Sequence, residues 1–89
     1  MLGEKLVEIT LIANLIEKVG SEKINVKAEK LSEALKFLIP KLPDILDLEG
    51  KPSGNYIFLL NGADYRVFGD DPVVKDSDKV TIIPVSHGG

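Results

Sequence analysis

The plainest chemical potential in this sequence lies in its last two residues, Gly88 and Gly89, which follow Val85-Ser86-His87. Without Cβ atoms, two glycines are thin enough to thread a narrow channel in a partner enzyme and set a terminal carboxylate beside a nucleotide. The same two letters also suit an ordinary frayed end, so the residues upstream must decide between the two. His87 is the only histidine. One imidazole without a second ligand makes no metal site, and we read it as a solvated residue that tunes the fit of the tail in a partner channel. Asp70, Asp71, Asp76 and Asp78 are spaced like part of a calcium loop. The glycine and bidentate glutamate needed at fixed offsets from Asp76 are missing, so these acids read as turn formers. Tyr56 and Tyr65 have no basic cluster around them and suit cross-strand packing better than base stacking. Lys18, Lys23, Lys27, Lys30 and Lys36 read as a solvated face. No metal site and no bound cofactor is predicted.

Composition excludes several other functions. The 89 residues contain no cysteine, which removes disulfides, thiolate zinc sites, iron–sulfur clusters and a cysteine nucleophile. Net charge is −3 with acids and bases interspersed, so no basic stripe is available to neutralise phosphates, and nucleic acid is not an expected partner. The first residues, Met1-Leu2-Gly3-Glu4-Lys5, lack the pattern of a secretory signal, and no apolar run approaches a membrane span. The expectation is a soluble cytoplasmic protein with a single domain over residues 1–89, ending in a flexible tail over residues 86–89.

The elements that must position the tail are legible from periodicity. Between Lys5 and Ile12, Val7, Ile9 and Leu11 alternate with Glu8 and Thr10, which predicts a strand with one buried face. Residues 14–21 read as a connection with Gly20 as its turn signal, and Lys23 to Lys27 as a second strand closing a hairpin. Leu31, Ala34, Leu35, Leu38 and Leu42 share one face of a helix, closed by Pro40 and Pro43, though no strong N-cap precedes Leu31. Residues 44–54 read as an exposed connection. Tyr56 to Leu60 is the most β-prone run and leads into Asn61-Gly62, a hairpin signal, with a return strand through Tyr65, Val67 and Phe68. After a turn-rich excursion from Gly69 to Asp78, Val80 to Ile83 forms the last strand, stopped by Pro84. The order strand, strand, helix, strand, strand, strand predicts an α+β protein of β-grasp type, a mixed sheet of about five strands on one main helix. The right-handed crossover rule then sets the first strand beside the last and parallel to it, so that the diglycine leaves from a central strand.

Parity within the apolar strand bears on docking. If Phe58 and Leu60 face the helix, Ile57 and Leu59 face away; Val80 and Ile82 inside leave Ile83 outside. With one helix to cover one face, Ile57, Leu59 and Ile83 form an exposed apolar patch near the tail, a surface suited to a partner. The alternative is that the 44–54 connection covers Ile57 or Leu59.

Three stretches resemble the β-grasp sulfur carriers and ubiquitin-like proteins, and among them the small subunit of molybdopterin synthase. They are Leu11 to Gly20, Leu60-Asn61-Gly62, and Asp76 to Gly89, where an acidic turn, an apolar strand, a proline and a diglycine follow in the family's order. Asn14 departs from the arginine common in the first connection, and His87 from the small residue common before the diglycine. The resemblance implies that an ATP-using activating enzyme adenylates the Gly89 carboxylate and that a sulfur donor protein displaces the adenylate, leaving a thiocarboxylate. That group delivers sulfur to a precursor of the molybdenum or tungsten cofactor, in a hetero-oligomer with a large synthase subunit. ATP is then used by the partner, and the chain acts as a regenerated co-substrate with no catalytic side chains of its own. Partner contacts are implied for Gly88, His87 and Ser86 as well as the apolar patch. A ubiquitin-like modifier joined to lysines through Gly89 shares the first step, a thiamine sulfur carrier is a further branch of the family, and a plain interaction module is the third class.

Overall fold

The alternation of Val7, Ile9 and Leu11 with Glu8 and Thr10 is realised as strand β1 (Leu6–Leu11), in which those three apolar residues are wholly buried and Leu6 is exposed. The structure is a computed structural model in which residues 5–85 are described, so Ser86, His87, Gly88 and Gly89 lie outside the described residues. β1 pairs antiparallel with β2 (Lys23–Lys27), setting Val7 against Val26 and Ile9 against Ile24.

The link between these strands is more than the turn expected of residues 14–21. It holds a short helix, α1 (Leu15–Val19), that buries Leu15. Gly20 ends it at φ 93°, donating its N–H to the Ile16 carbonyl at 2.8 Å. A left-handed residue there is the usual stop for a helix, and glycine takes it without steric penalty.

The main helix, α2 (Leu31–Lys36), begins without a local cap, since Lys30 makes no side-chain cap bond. The cap comes from far along the chain. Asp71 accepts from the Ser32 N–H at 2.9 Å and from the Ser32 hydroxyl at 2.6 Å. The apolar spacing that runs on to Leu42 overstates the helix, which stops at Lys36. Pro40 has no N–H to donate to the Lys36 carbonyl, and its ring would collide with that oxygen. Residues 37–41 tighten into three-residue turns instead, with the Leu38 N–H on the Leu35 carbonyl at 2.9 Å and the Lys41 N–H on the Leu38 carbonyl at 3.0 Å. Leu38 and Leu42 stay in the core regardless.

The connection over residues 44–54 is only partly exposed, correcting the sequence reading. Ile45 is fully buried, and Pro52 and Ser53 are buried with it. β3 (Tyr56–Leu60) turns through Asn61 and Gly62, at φ 52° and 87°, into β4, which is only Ala63–Asp64. The expected return strand through Tyr65, Val67 and Phe68 is a 3-10 turn over Tyr65–Phe68. Asp64 explains the change, because its carboxylate accepts from the Arg66 N–H at 2.9 Å, a local bond that competes with the ladder.

β5 (Lys79–Pro84) completes a five-stranded sheet in the order β2-β1-β5-β3-β4. The β1–β5 pair is parallel and the other pairs are antiparallel, so β5 sits at the centre as expected. Leu31, Ala34 and Leu35 of α2 share one core cluster with Val7, Ile9, Phe58, Val80 and Ile82 of the sheet. Tyr56 and Tyr65 flank Phe58, with ring centroids 6.0 and 5.9 Å away, the packing role expected of both tyrosines.

Replacing Asp71 by alanine removes the distant cap of α2 and strands the buried Ser32 hydroxyl. The expected loss is about 1–2 kcal/mol of folding stability, read from the urea midpoint at unchanged slope.

Candidate functional site

The candidate site is the end of β5 where the diglycine segment begins. The Asn61 N–H bonds the Lys79 carbonyl at 2.7 Å and the Val85 N–H bonds the Asn55 carbonyl at 3.3 Å. Residues 79, 81, 83 and 85 therefore turn their main-chain groups toward β3. On the other side, the Glu8 N–H bonds the Asp78 carbonyl at 2.9 Å and the Ile12 N–H bonds the Ile82 carbonyl at 3.2 Å, so the even residues serve β1. Pro84 belongs to this even series and is the last residue of β5. Its missing N–H costs nothing, because the acceptor it would have met, the Ile12 carbonyl, already accepts from the Leu15 N–H at 3.2 Å. Beyond Ile82, then, β1 no longer holds the strand, and β3 alone guides it to Val85.

The same register fixes the open face of the sheet. Phe58, Leu60, Val80 and Ile82 are buried, whereas Ile57 is 42% exposed and Leu59 and Ile83 are half-buried. Ile57 pairs directly with Ile83. Leu11 pairs with Ile82, so the next residue of the parallel strand, Ile12, lies beside Ile83, and it is 36% exposed. Ile12, Ile83 and Ile57 thus form one apolar row across three strands, with Leu59 and Thr81 in the row behind. The sequence reading placed Ile57, Leu59 and Ile83 together, and the structure does so. It missed Ile12, whose position only the parallel register reveals. Further toward the start of β5 the face turns polar, with Glu8 opposite Lys79 and Lys23 within 3.9 Å of Glu8. Ser86, His87, Gly88 and Gly89, the other predicted site residues, fall outside the described residues.

Polar groups fasten the margins of this region. Tyr56 donates its hydroxyl to Asp44 at 2.5 Å, and Asn55 donates its side-chain amide to the other Asp44 oxygen at 3.1 Å. Burial first, and then the hydrogen bond and charge of Asp44, push the Tyr56 hydroxyl from 10.0 up to about 12. Burial also pushes Tyr65 up. The Arg66 side chain, donating to both Asp64 oxygens at 3.0 and 2.8 Å, holds that carboxyl down at about 2. The acids once compared to a calcium loop have separate structural tasks. Asp71 caps α2, Asp76 accepts from the Leu6 N–H at 2.9 Å, and Asp78 accepts from Lys75 N–H at 2.7 Å and from the Asn61 amide at 3.0 Å. Among the described residues no group of three or more histidines, cysteines or acids could hold a metal ion. No helix among them is long and apolar enough to cross a membrane.

A mixed sheet grasping α2, with its central strand leading to a diglycine, defines a β-grasp protein of the ubiquitin-like type. The chain belongs to the ThiS family, whose match spans residues 9–89 and so includes both terminal glycines. It is thereby placed among ubiquitin-like sulfur carriers and modifiers. Among solved structures it is similar to the small archaeal modifier protein 1 (SAMP1) of Methanosarcina acetivorans, at 29% identity and a TM-score of 0.78 over 99% of this chain and 100% of that one. It is also similar to Urm1 of Sulfolobus solfataricus, at 26% identity and a TM-score of 0.76 over 88% of this chain and 99% of that one. A chain of the Amycolatopsis orientalis BexX/CysO complex shares the fold, at 24% identity and a TM-score of 0.76 over 93% of this chain and 99% of that one. No significant match is found among curated proteins.

The Tyr56 hydroxyl yields a pH prediction. The folded protein keeps this proton up to about 12 whereas the free side chain releases it near 10.0, so the folded state binds more protons between those values. The contribution is fully present below pH 10 and is lost as pH rises toward 12. Thermal melts across that window should show stability falling, and Tyr56→Phe should flatten the fall, leaving the smaller share due to Tyr65.

Proposed function

We propose that this protein is a sulfur carrier that works through the carboxylate of Gly89. An ATP-dependent activating enzyme joins that carboxylate to AMP and releases pyrophosphate; sulfide released by a sulfur donor protein then attacks the acyl carbon, forming the C–S bond as the C–O bond to AMP breaks, and leaves the thiocarboxylate. The carrier hands its sulfur to a precursor of the molybdenum or tungsten pterin cofactor, held by a large synthase subunit, and returns as the plain carboxylate. The observation that carries this reading is the family match, which runs from the strands of the sheet through Gly88 and Gly89 in the sequence that follows the central strand. The chain alone is then not an enzyme, its ATP is bound by the partner, and its working place is the cytoplasm.

The row Ile12, Ile83 and Ile57 supports docking of the activating enzyme and the synthase subunit on one face. It lies at the end of the sheet from which the chain leaves, so a partner bound there is already close to the tail. A second reading is a protein modifier conjugated to lysines through Gly89, favoured by the likeness to an archaeal modifier. The two share the acyl-adenylate and part at the acceptor.

The deciding measurement is intact mass of the protein isolated from its native host, with fragmentation of the C-terminal peptide. The carrier reading expects one Gly89 oxygen replaced by sulfur. Only a plain carboxylate, even with ATP and the activating enzyme supplied, sinks it, and isopeptide links to lysine establish the modifier. For docking, Ile57→Asp should weaken binding of the activating enzyme by roughly tenfold or more while shifting folding stability by less than about 1 kcal/mol. Leu59→Asp and Ile83→Asp should weaken it too but cost more stability, since both side chains are half-buried.

A further inference from the structure

Past Ile82 the end of β5 is held on one side only, and the last main-chain bond among the described residues is the one from the Val85 N–H to the Asn55 carbonyl. Whatever fixes Asn55 therefore fixes the point from which residue 86 departs. Asn55 lies one residue before β3, outside the ladder of paired strand residues, and is held by side chains rather than by the sheet. Its N–H bonds the Ser53 hydroxyl at 2.9 Å, and its side-chain amide bonds Asp44 at 3.1 Å. The second Asp44 oxygen takes the hydroxyl of Tyr56, the next residue, which pairs with Pro84. One exposed carboxylate thus grips both residues that face the last turn of β5.

Asp44 itself is well founded. Its neighbour Ile45 is completely buried, and the Ile45 carbonyl accepts from the Ser53 N–H at 3.0 Å. The exposed Asp44 carboxylate thus stands directly beside a residue anchored in the core.

We propose that Asp44 is a positioning residue for the reaction at Gly89: by clamping Asn55 and Tyr56 it sets the direction and rigidity with which Val85 delivers the tail to a partner's channel. The inference rests on Gly89 being the reacting group. Charge-assisted bonds to a fixed carboxylate hold both donors more firmly than water would. Orientation of a reacting group acts on the rate of the bound complex more than on its formation. The clamp and the docking row are thus separable: one governs turnover, the other binding.

The test compares the wild type with Asp44→Ala, Asp44→Asn and Tyr56→Phe. Amide hydrogen exchange in the isolated protein should show Val85 exchanging about tenfold faster in Asp44→Ala, with Ile82, two bonds deeper in the same strand, unchanged. In ATP-supplemented extract of the native host with sulfide, the rate of Gly89 thiocarboxylate formation is followed by mass as the concentration of this protein is varied. Asp44→Ala should lower the limiting rate by about fivefold or more and leave the half-saturating concentration within about twofold, the opposite of Ile57→Asp. Tyr56→Phe, which loses one of the two grips, and Asp44→Asn, which keeps one acceptor oxygen, should fall between. Equal acceleration of exchange at Val85 and Ile82, or a limiting rate in Asp44→Ala equal to that of the wild type, overturns the proposal. Failure of the wild type to form any thiocarboxylate is a different result: it removes the carrier function on which the proposal depends, whatever happens at Val85.

Discussion

The pairing on which this structure depends is the parallel one between β1 and β5, from Glu8 opposite Lys79 to Leu11 opposite Ile82. Two strands so far apart in sequence cannot be joined by a hairpin in parallel register, so the chain must cross over, and the crossover carries α2. The buried residues of both strands, Val7, Ile9, Leu11, Val80 and Ile82, then become the floor on which Leu31, Ala34 and Leu35 pack. With β2 and β3 flanking them, β1 and β5 have no free edge over their paired lengths. β5 is in consequence paired on both sides as far as Ile82.

Such a design trades support for reach. Holding β5 on both sides as far as Ile82 stiffens it, but under the proposed function a segment pinned on both sides could not enter a partner. The structure resolves this by ending β1 first. The Ile12 carbonyl is diverted into the turn that opens α1, Pro84 has no N–H to compete for it, and among the described residues β3 and Asn55 alone hold the strand from there. The opposite edge of the sheet is guarded in the usual way: Lys23 and Lys27 on β2 are exposed and charged, which discourages pairing with another chain.

How much of this can be read from the letters follows from the range of each interaction. Strands β1, β2, β3 and β5 were legible because alternation is a local pattern, and their order implied the β-grasp arrangement. α1 was not, since five residues show less than two helical turns, and Gly20 reads equally well as a turn. The apolar face running to Leu42 gave α2 too many residues, because burial persists in the tight turns that follow the helix. Tyr65 and Val67 alternate like a strand, yet Asp64 bonds its own neighbour and bends the chain first. The Asp71 cap lies 39 residues from the helix it serves and leaves no trace in a window of sequence. At the site, parity exposed Ile57, Leu59 and Ile83, whereas Ile12 required the register of a non-local pair. The Asp44 clamp had no local signal either.

Covalent geometry adds a constraint that none of these contacts supplies. Four residues of chain beyond Val85 span at most about 14 Å when fully extended. Under the proposed function, a partner acting at Gly89 would have to bring its reacting groups to within that distance of Val85 and approach on a side where the surface admits it. The face beside Val85 offers the Ile12, Ile83 and Ile57 row, while the face beneath is filled by the core. Under that proposal, the short reach from Val85 to Gly89 and the apolar row beside Val85 are complementary requirements. A longer tail would reach a distant active site without docking, at the cost of ordering more chain, whereas a short one makes recognition of the sheet face a condition of the chemistry. Under the proposed function, specificity would lie in the face and generic reactivity in the diglycine, so that proteins of one fold could share an activation chemistry and still differ in the partners they serve.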